Sequence, residues 1–143
     1  TSEGRRRFTL AHEIGHFALG HGKYFVTEAV DETDFQLSAD EDRDSETIRR
    51  LEWQANCFGS RILLPTKALL DQLGRLALQH DLRDKGHGLV YVDYQPANQA
   101  TYHAVVGALG MYFQATKSAV AFRLRGLGLL NDQRGMNPFR FGG

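Results

Sequence analysis

The chain has 143 residues, with 17 Lys and Arg balancing 17 Asp and Glu and a pI near 7.0. At 42% hydrophobic and 24% charged it has the make-up of one globular domain, and no apolar run nears the roughly 18 residues of a membrane span. A single cysteine, Cys57, excludes an internal disulfide framework and a Cys-rich zinc module, and fits a reducing, cytoplasmic compartment.

The first predicted element is a helix over 5–19. Phe8, Ala11, Ile14 and Ala18 recur at helical steps there, and Gly20 supplies a stop. Tyr24-Phe25-Val26 and Phe35-Gln36-Leu37 are short strand candidates. Between Glu28 and Glu46 lie nine acids and one base, Arg43, so this stretch carries −8 and the remainder +8. With few apolar residues it reads as a solvated loop, or as a flap near a positively charged site or substrate. A second helix is expected from Ser45 to Pro65, burying a stripe of Ile48, Leu51, Ala55, Phe58 and Ile62. Thr66 is placed to cap a third helix with Leu69, Leu73, Leu76 and His80 on one face. Residues 81–88 read as loop and Leu89 to Val92 as a strand. A fourth helix runs from Pro96 to about Phe113, and a fifth, capped by Thr116, covers Lys117 to Leu127. The whole is predicted to be α+β and mostly α-helical. It forms one domain over 1–130, with a core at 1–95, a helical part at 96–130 and a frayed tail at 131–143. A chain beginning at Thr1, with no Met, reads as a fragment.

One segment carries chemistry. His12-Glu13-Ile14-Gly15-His16 is an H-E-x-x-H sequence inside the first helix. Residues four apart lie about 40° apart around the axis and about 6 Å along it, so both imidazoles leave one face and can meet one zinc ion. Glu13, rotated by about 100°, flanks the metal without binding it, where a carboxylate can accept a proton from an attacking water. Random placement would give such a segment in a chain of this composition with a probability on the order of 1%. Manganese or another divalent ion would also suit these donors.

A catalytic zinc usually has a third protein ligand. The metzincin pattern would need glycine at 19 and histidine at 22, where Leu19 and Gly22 stand. His21 is therefore expected to be a solvated residue after the helix break, or a helper at the rim. Glu52 is a better third ligand, at the edge of the second helix's apolar stripe, with Asn56 one turn on to orient an imidazole through its outer nitrogen. Spacing alone equally allows Glu52 to pair with Arg49.

Three stretches carry a resemblance. They are Arg7-Phe8-Thr9-Leu10-Ala11-His12-Glu13-Ile14-Gly15-His16, then Glu52-Trp53-Gln54-Ala55-Asn56-Cys57-Phe58 through Leu63-Leu64-Pro65, and, more weakly, Phe113 to Leu130. Together the sequence resembles the ImmA/IrrE family of metallopeptidases over most of residues 5–130. Gly59-Ser60 stand where that family usually has small alanines, and the acidic segment has no clear counterpart in it. The resemblance implies a zincin-like, gluzincin-type core with one Zn2+ held by His12, His16 and Glu52, and Glu13 as catalytic base. It also implies a protein substrate, a helix-turn-helix repressor whose cleavage derepresses a mobile element or a stress response.

Other residues have weaker assignments. Tyr102 and His103, an adjacent hydroxyl and imidazole, are candidate oxyanion stabilisers, with helix packing the plainer role. Cys57, with no basic neighbour foreseen, reads as a small buried hydrophobe, and Trp53 as a core residue. The competing reading is a non-catalytic regulator with a structural zinc. Its last two helices would form a helix-turn-helix-like pair offering Lys117, Arg123 and Arg125 to DNA or to a protein partner.

Overall fold

The computed structural model describes residues 2–22 and 41–135. The two strand candidates between the first helices, and most of the acidic stretch, lie outside the described residues. Among the described residues there are five helices and one two-stranded sheet, an α+β fold that is mostly α-helical. No described helix is long and apolar enough to cross a membrane.

Helix α1 spans Ser2–Ala18 and α2 spans Glu41–Leu63, one turn earlier than expected. They pack on each other through a face that periodicity misplaced. On α1 the buried residues are Gly4, Ala11 and Gly15, while Ile14 is 44% exposed and Ala18 lies open. The contact selects small side chains because the helix backbones nearly touch. A Cβ on Gly59 of α2 would lie 3.2 Å from His12 N, and one on Gly15 would lie 3.2 Å from the Ala55 carbonyl oxygen. On α2, Leu51 and Ala55 are buried as expected, Phe58 is half-buried and Ile62 is half-exposed. Trp53, expected in the core, is 59% exposed. The buried line runs instead through Gly59 and Ser60 to Leu64, because the end of α2 turns from α1 towards the second half of the fold.

That second half holds the main core. It comprises α3 (Thr66–Gln79), β1 (Val90–Val92), α4 (Pro96–Phe113), α5 (Lys117–Gly126) and β2 (Leu130–Asp132). Leu69 and Leu73 of α3, Val90 and Val92 of β1, and Tyr102, Val105, Val106 and Leu109 of α4 meet Val120 and Leu124 of α5 there. His80, expected on the buried face of α3, is its exposed C-cap. Strands β1 and β2 pair in parallel, Val90 with Leu130 and Val92 with Asp132, so α4 and α5 form the crossover. Asn131 and Asp132, expected in a frayed tail, thus lie in a strand. Residues 136–143 lie outside the described residues.

Two capping expectations had different outcomes. Thr116 caps α5, its hydroxyl accepting from Ala119 N at 3.1 Å. Thr66 is not the cap of α3: Pro65 takes the N-cap position and Thr66 is the first helical residue, its hydroxyl accepting from Arg123 Nη2 at 2.7 Å. Arg123 Nε also donates to the Leu64 carbonyl at 3.1 Å, one of the carbonyls that the end of α2 leaves unpaired. Arg123 is 8% exposed, so it ties α5 to the α2–α3 junction and is withdrawn from any DNA-facing set. Arg125 stays exposed and lies 3.8 Å from Asp132.

Candidate metal centre

The close approach of α1 and α2 brings three donor side chains together. His12 Nε2 and His16 Nε2 are 2.9 Å apart, and Glu52 reaches both, Oε2 to His12 at 3.0 Å and Oε1 to His16 at 3.1 Å. The alternative pairing of Glu52 with Arg49 gives way to these contacts. The imidazoles are largely enclosed, with side chains 15% and 12% exposed, whereas Glu52 is 43% exposed. The cluster thus opens to solvent on the carboxylate side.

Hydrogen bonds at the outer ring nitrogens explain why such a cluster needs a cation. His12 Nδ1 lies 2.8 Å from Asn56 Oδ1, an acceptor, so the His12 proton sits on Nδ1 and its Nε2 presents a lone pair inward. His16 Nδ1 lies 2.9 Å from His21 Nδ1, and His21 Nε2 lies 2.9 Å from Gln54 Oε1. With a neutral His12 ring, its lone pair and a carboxylate converge with the His16 nitrogen on one region, an arrangement that a positive charge would stabilise. A tetrahedral zinc at 2.0–2.1 Å from each donor needs neighbouring donors about 3.3 Å apart, a spacing that the contacts among these three side chains approach. The two-nitrogen, one-oxygen donor set suits zinc and other borderline divalent ions. The residues present fit such an ion.

His21 departs from expectation. It is 3% exposed, not solvated, and the helix stop puts it there. Gly20 adopts φ +73°, which only glycine takes at little cost. Gly20 N then donates to the Phe17 carbonyl at 3.2 Å and His21 N to the His16 carbonyl at 2.9 Å, the paired bonds of a Schellman cap. A Gly at 20 was a legible helix stop. That the cap would fold the next residue back over His16 was the signal the sequence reading left unused.

Glu13 follows His12 in the chain and is exposed on α1. Tyr102 and His103 are not brought into the cluster. Tyr102 packs in the core of the second half under the Arg134 guanidinium, 4.7 Å above its ring, and His103 is exposed with its ring against Tyr102. Cys57 is half-buried and free. Burial pushes its thiol pKa up, although two basic neighbours pull it down: Arg61, one turn on in the same helix and contrary to the expectation of none, and Arg123 from α5.

A paired-helix H-E-x-x-H site with a carboxylate from the second helix, on a mostly helical α+β frame, has the build of a metallopeptidase. The chain matches the IrrE N-terminal-like domain, a peptidase family, over residues 1–125, and it belongs to that family. No curated protein and no solved structure matches it.

Proposed function

We propose that this chain is a zinc-dependent endopeptidase of narrow specificity that works in the cytoplasm. His12, His16 and Glu52 hold the metal, and Glu13 carries the proton. The observation that carries this reading is the convergence of His12 Nε2, His16 Nε2 and the Glu52 carboxylate within 2.9–3.1 Å, with the outer nitrogen of His12 already satisfied by Asn56. Membership of a peptidase family supports it.

Zinc, when bound, polarises the scissile carbonyl and makes water acidic enough to attack at neutral pH. Glu13 accepts one proton from the attacking water as its oxygen bonds to the carbonyl carbon. It then delivers that proton to the departing amine as the C–N bond breaks. Asn56 holds the His12 ring so that Nε2 stays inward. The exposed side of Glu52 leaves room for an extended chain to enter. The substrate we assign, from the sequence resemblance, is a helix-turn-helix repressor whose cleavage lifts repression.

The test pairs metal content with cleavage. Wild type should hold one zinc by elemental analysis, and His12→Ala should lose it. Glu13→Gln should keep the zinc while cleavage of a helix-turn-helix repressor falls about 10²–10⁴-fold. Undiminished cleavage by a zinc-loaded Glu13→Gln protein would refute the mechanism.

A further inference from the structure

The cap that ends α1 places residue 21 beside residue 16, a position where Schellman turns commonly form an apolar contact. Here both residues are histidines, with Nδ1 atoms 2.9 Å apart. Two facing ring nitrogens attract only if one carries a proton and the other a lone pair. The far end of the chain of contacts sets the direction. His21 Nε2 faces Gln54 Oε1, which can only accept, so Nε2 carries the His21 proton. In neutral His21, Nδ1 is then a lone pair, and the proton between the two rings belongs to His16 Nδ1. His16 Nε2 is left bare, facing Glu52 and His12 Nε2.

We infer that His21, held by Gln54, is a positioning residue that fixes His16 in the tautomer whose Nε2 lone pair faces the cation site. The inference rests on the peptidase reading only for the identity of that cation. Helix α2 thus orients both imidazoles of α1, His12 directly through Asn56 and His16 through a buried intermediary ring. His21 is 3% exposed, so bulk water is kept from replacing it as the acceptor.

The test uses the full chain, zinc alone as the probe, and histidine labelled with nitrogen-15. In metal-free wild type, two-bond nitrogen–proton couplings should place the His16 proton on Nδ1. His21→Phe keeps a buried ring but removes the acceptor. His16 should then lose its preference for the Nδ1 proton, and zinc affinity, measured by competition with a chelator, should fall about 10- to 100-fold. His21→Asn sets a carbonyl oxygen close to where Nδ1 stood and should recover part of that loss. A role in packing alone would lower the thermal midpoint of both metal-free variants and leave the zinc affinity of the folded protein at the wild-type value. That result, or a wild-type His16 proton on Nε2, overturns the inference. If wild type binds no zinc, the peptidase reading fails, while the tautomer of His16 in wild type and in His21→Phe still decides the role of His21.

Discussion

A methyl group on Gly59 would sit 3.2 Å from the backbone nitrogen of His12, closer than ordinary van der Waals contact. The two nearest atoms are backbone, the Ala11 carbonyl carbon being the second at 3.3 Å, and the next is Ala11 Cβ at 3.5 Å, so no side-chain rotation can relieve the contact. In Gly59→Ala the gain in helix propensity, about 1 kcal/mol, opposes an overpacking cost of about 1–3 kcal/mol. The cost should prevail, because relief requires the helices to separate. The expected outcome is a lower thermal midpoint together with weaker zinc binding, as His12 moves away from Glu52. Calorimetry and chelator competition would check it, and unchanged values in both would mean that the helices have room to spare.

Removal of metal should loosen α1 selectively. Its buried residues are only Gly4, Ala11 and Gly15, which supply little apolar area, whereas the leucines and valines of α3 to α5 form a core without it. Chelation should therefore speed hydrogen exchange along α1 and leave α4 and α5 protected. Glu52→Gln should produce the same pattern, with zinc affinity lowered by more than the roughly 100-fold that outer partners alone can cost. Uniform exchange across the chain on chelation would contradict this division.

Arg123→Met keeps the apolar stem of the side chain but strips the Leu64 carbonyl of its donor. The expected loss is about 1–3 kcal/mol, read as a lower urea midpoint. Zinc affinity should hardly change, because Arg123 acts at the α2–α3 junction and not between α1 and α2. Arg123→Lys should recover only part of the loss, since an ammonium is a compact point charge without the guanidinium fork that serves two acceptors here.

Asp132 gives the fold a pH-dependent element. The hydrogen bond from the Arg134 side chain holds its carboxyl below the usual aspartate range. Burial opposes this, and the Arg134 backbone N–H and the charges of Arg134 and Arg125 assist. A folded pKa below the unfolded one means that the contribution is present above the unfolded value, about 3.9, and fades as pH falls through the folded value. Asp132→Asn should lower stability at neutral pH and flatten the decline below about pH 4. Thermal midpoints from pH 7 to 2 would show whether the two curves converge in acid.

Local rules located much of the fold. The four-residue spacing of His12 and His16, the polar flank of Glu52 and Asn56, and the proline and glycine stops all depend on helix geometry, which one chain segment fixes by itself. The failures came where a distant partner decides. Periodicity assigned Ile14 and Ile62 to buried faces, but a close helix contact buries glycine and alanine and leaves larger residues at its edges. Thr66 has a capping side chain, but the helix starts one residue earlier than that role needs, with Pro65 at the cap and the Thr66 hydroxyl bound by an arginine 57 residues away. Leu130-Asn131-Asp132 carries no strand pattern, being three residues long with two polar, and becomes one only through its parallel partner 40 residues earlier. His21 stayed hidden because its neighbours, His16 and Gln54, meet only once the turn is closed.

The pairing of β1 with β2 bears on how this domain can be trimmed. The family match spans residues 1–125, and the strand that pairs with Val90–Val92 and the Asp132–Arg134 clasp over Tyr102 come after that span. A polypeptide stopped at that boundary would keep every candidate metal donor and still leave one edge of β1 without its strand partner and the core without Leu130. The last strand and the clasp over Tyr102 lie beyond the matched span yet belong to the same packed unit, so a shortened version would need to run past Arg134 to keep them.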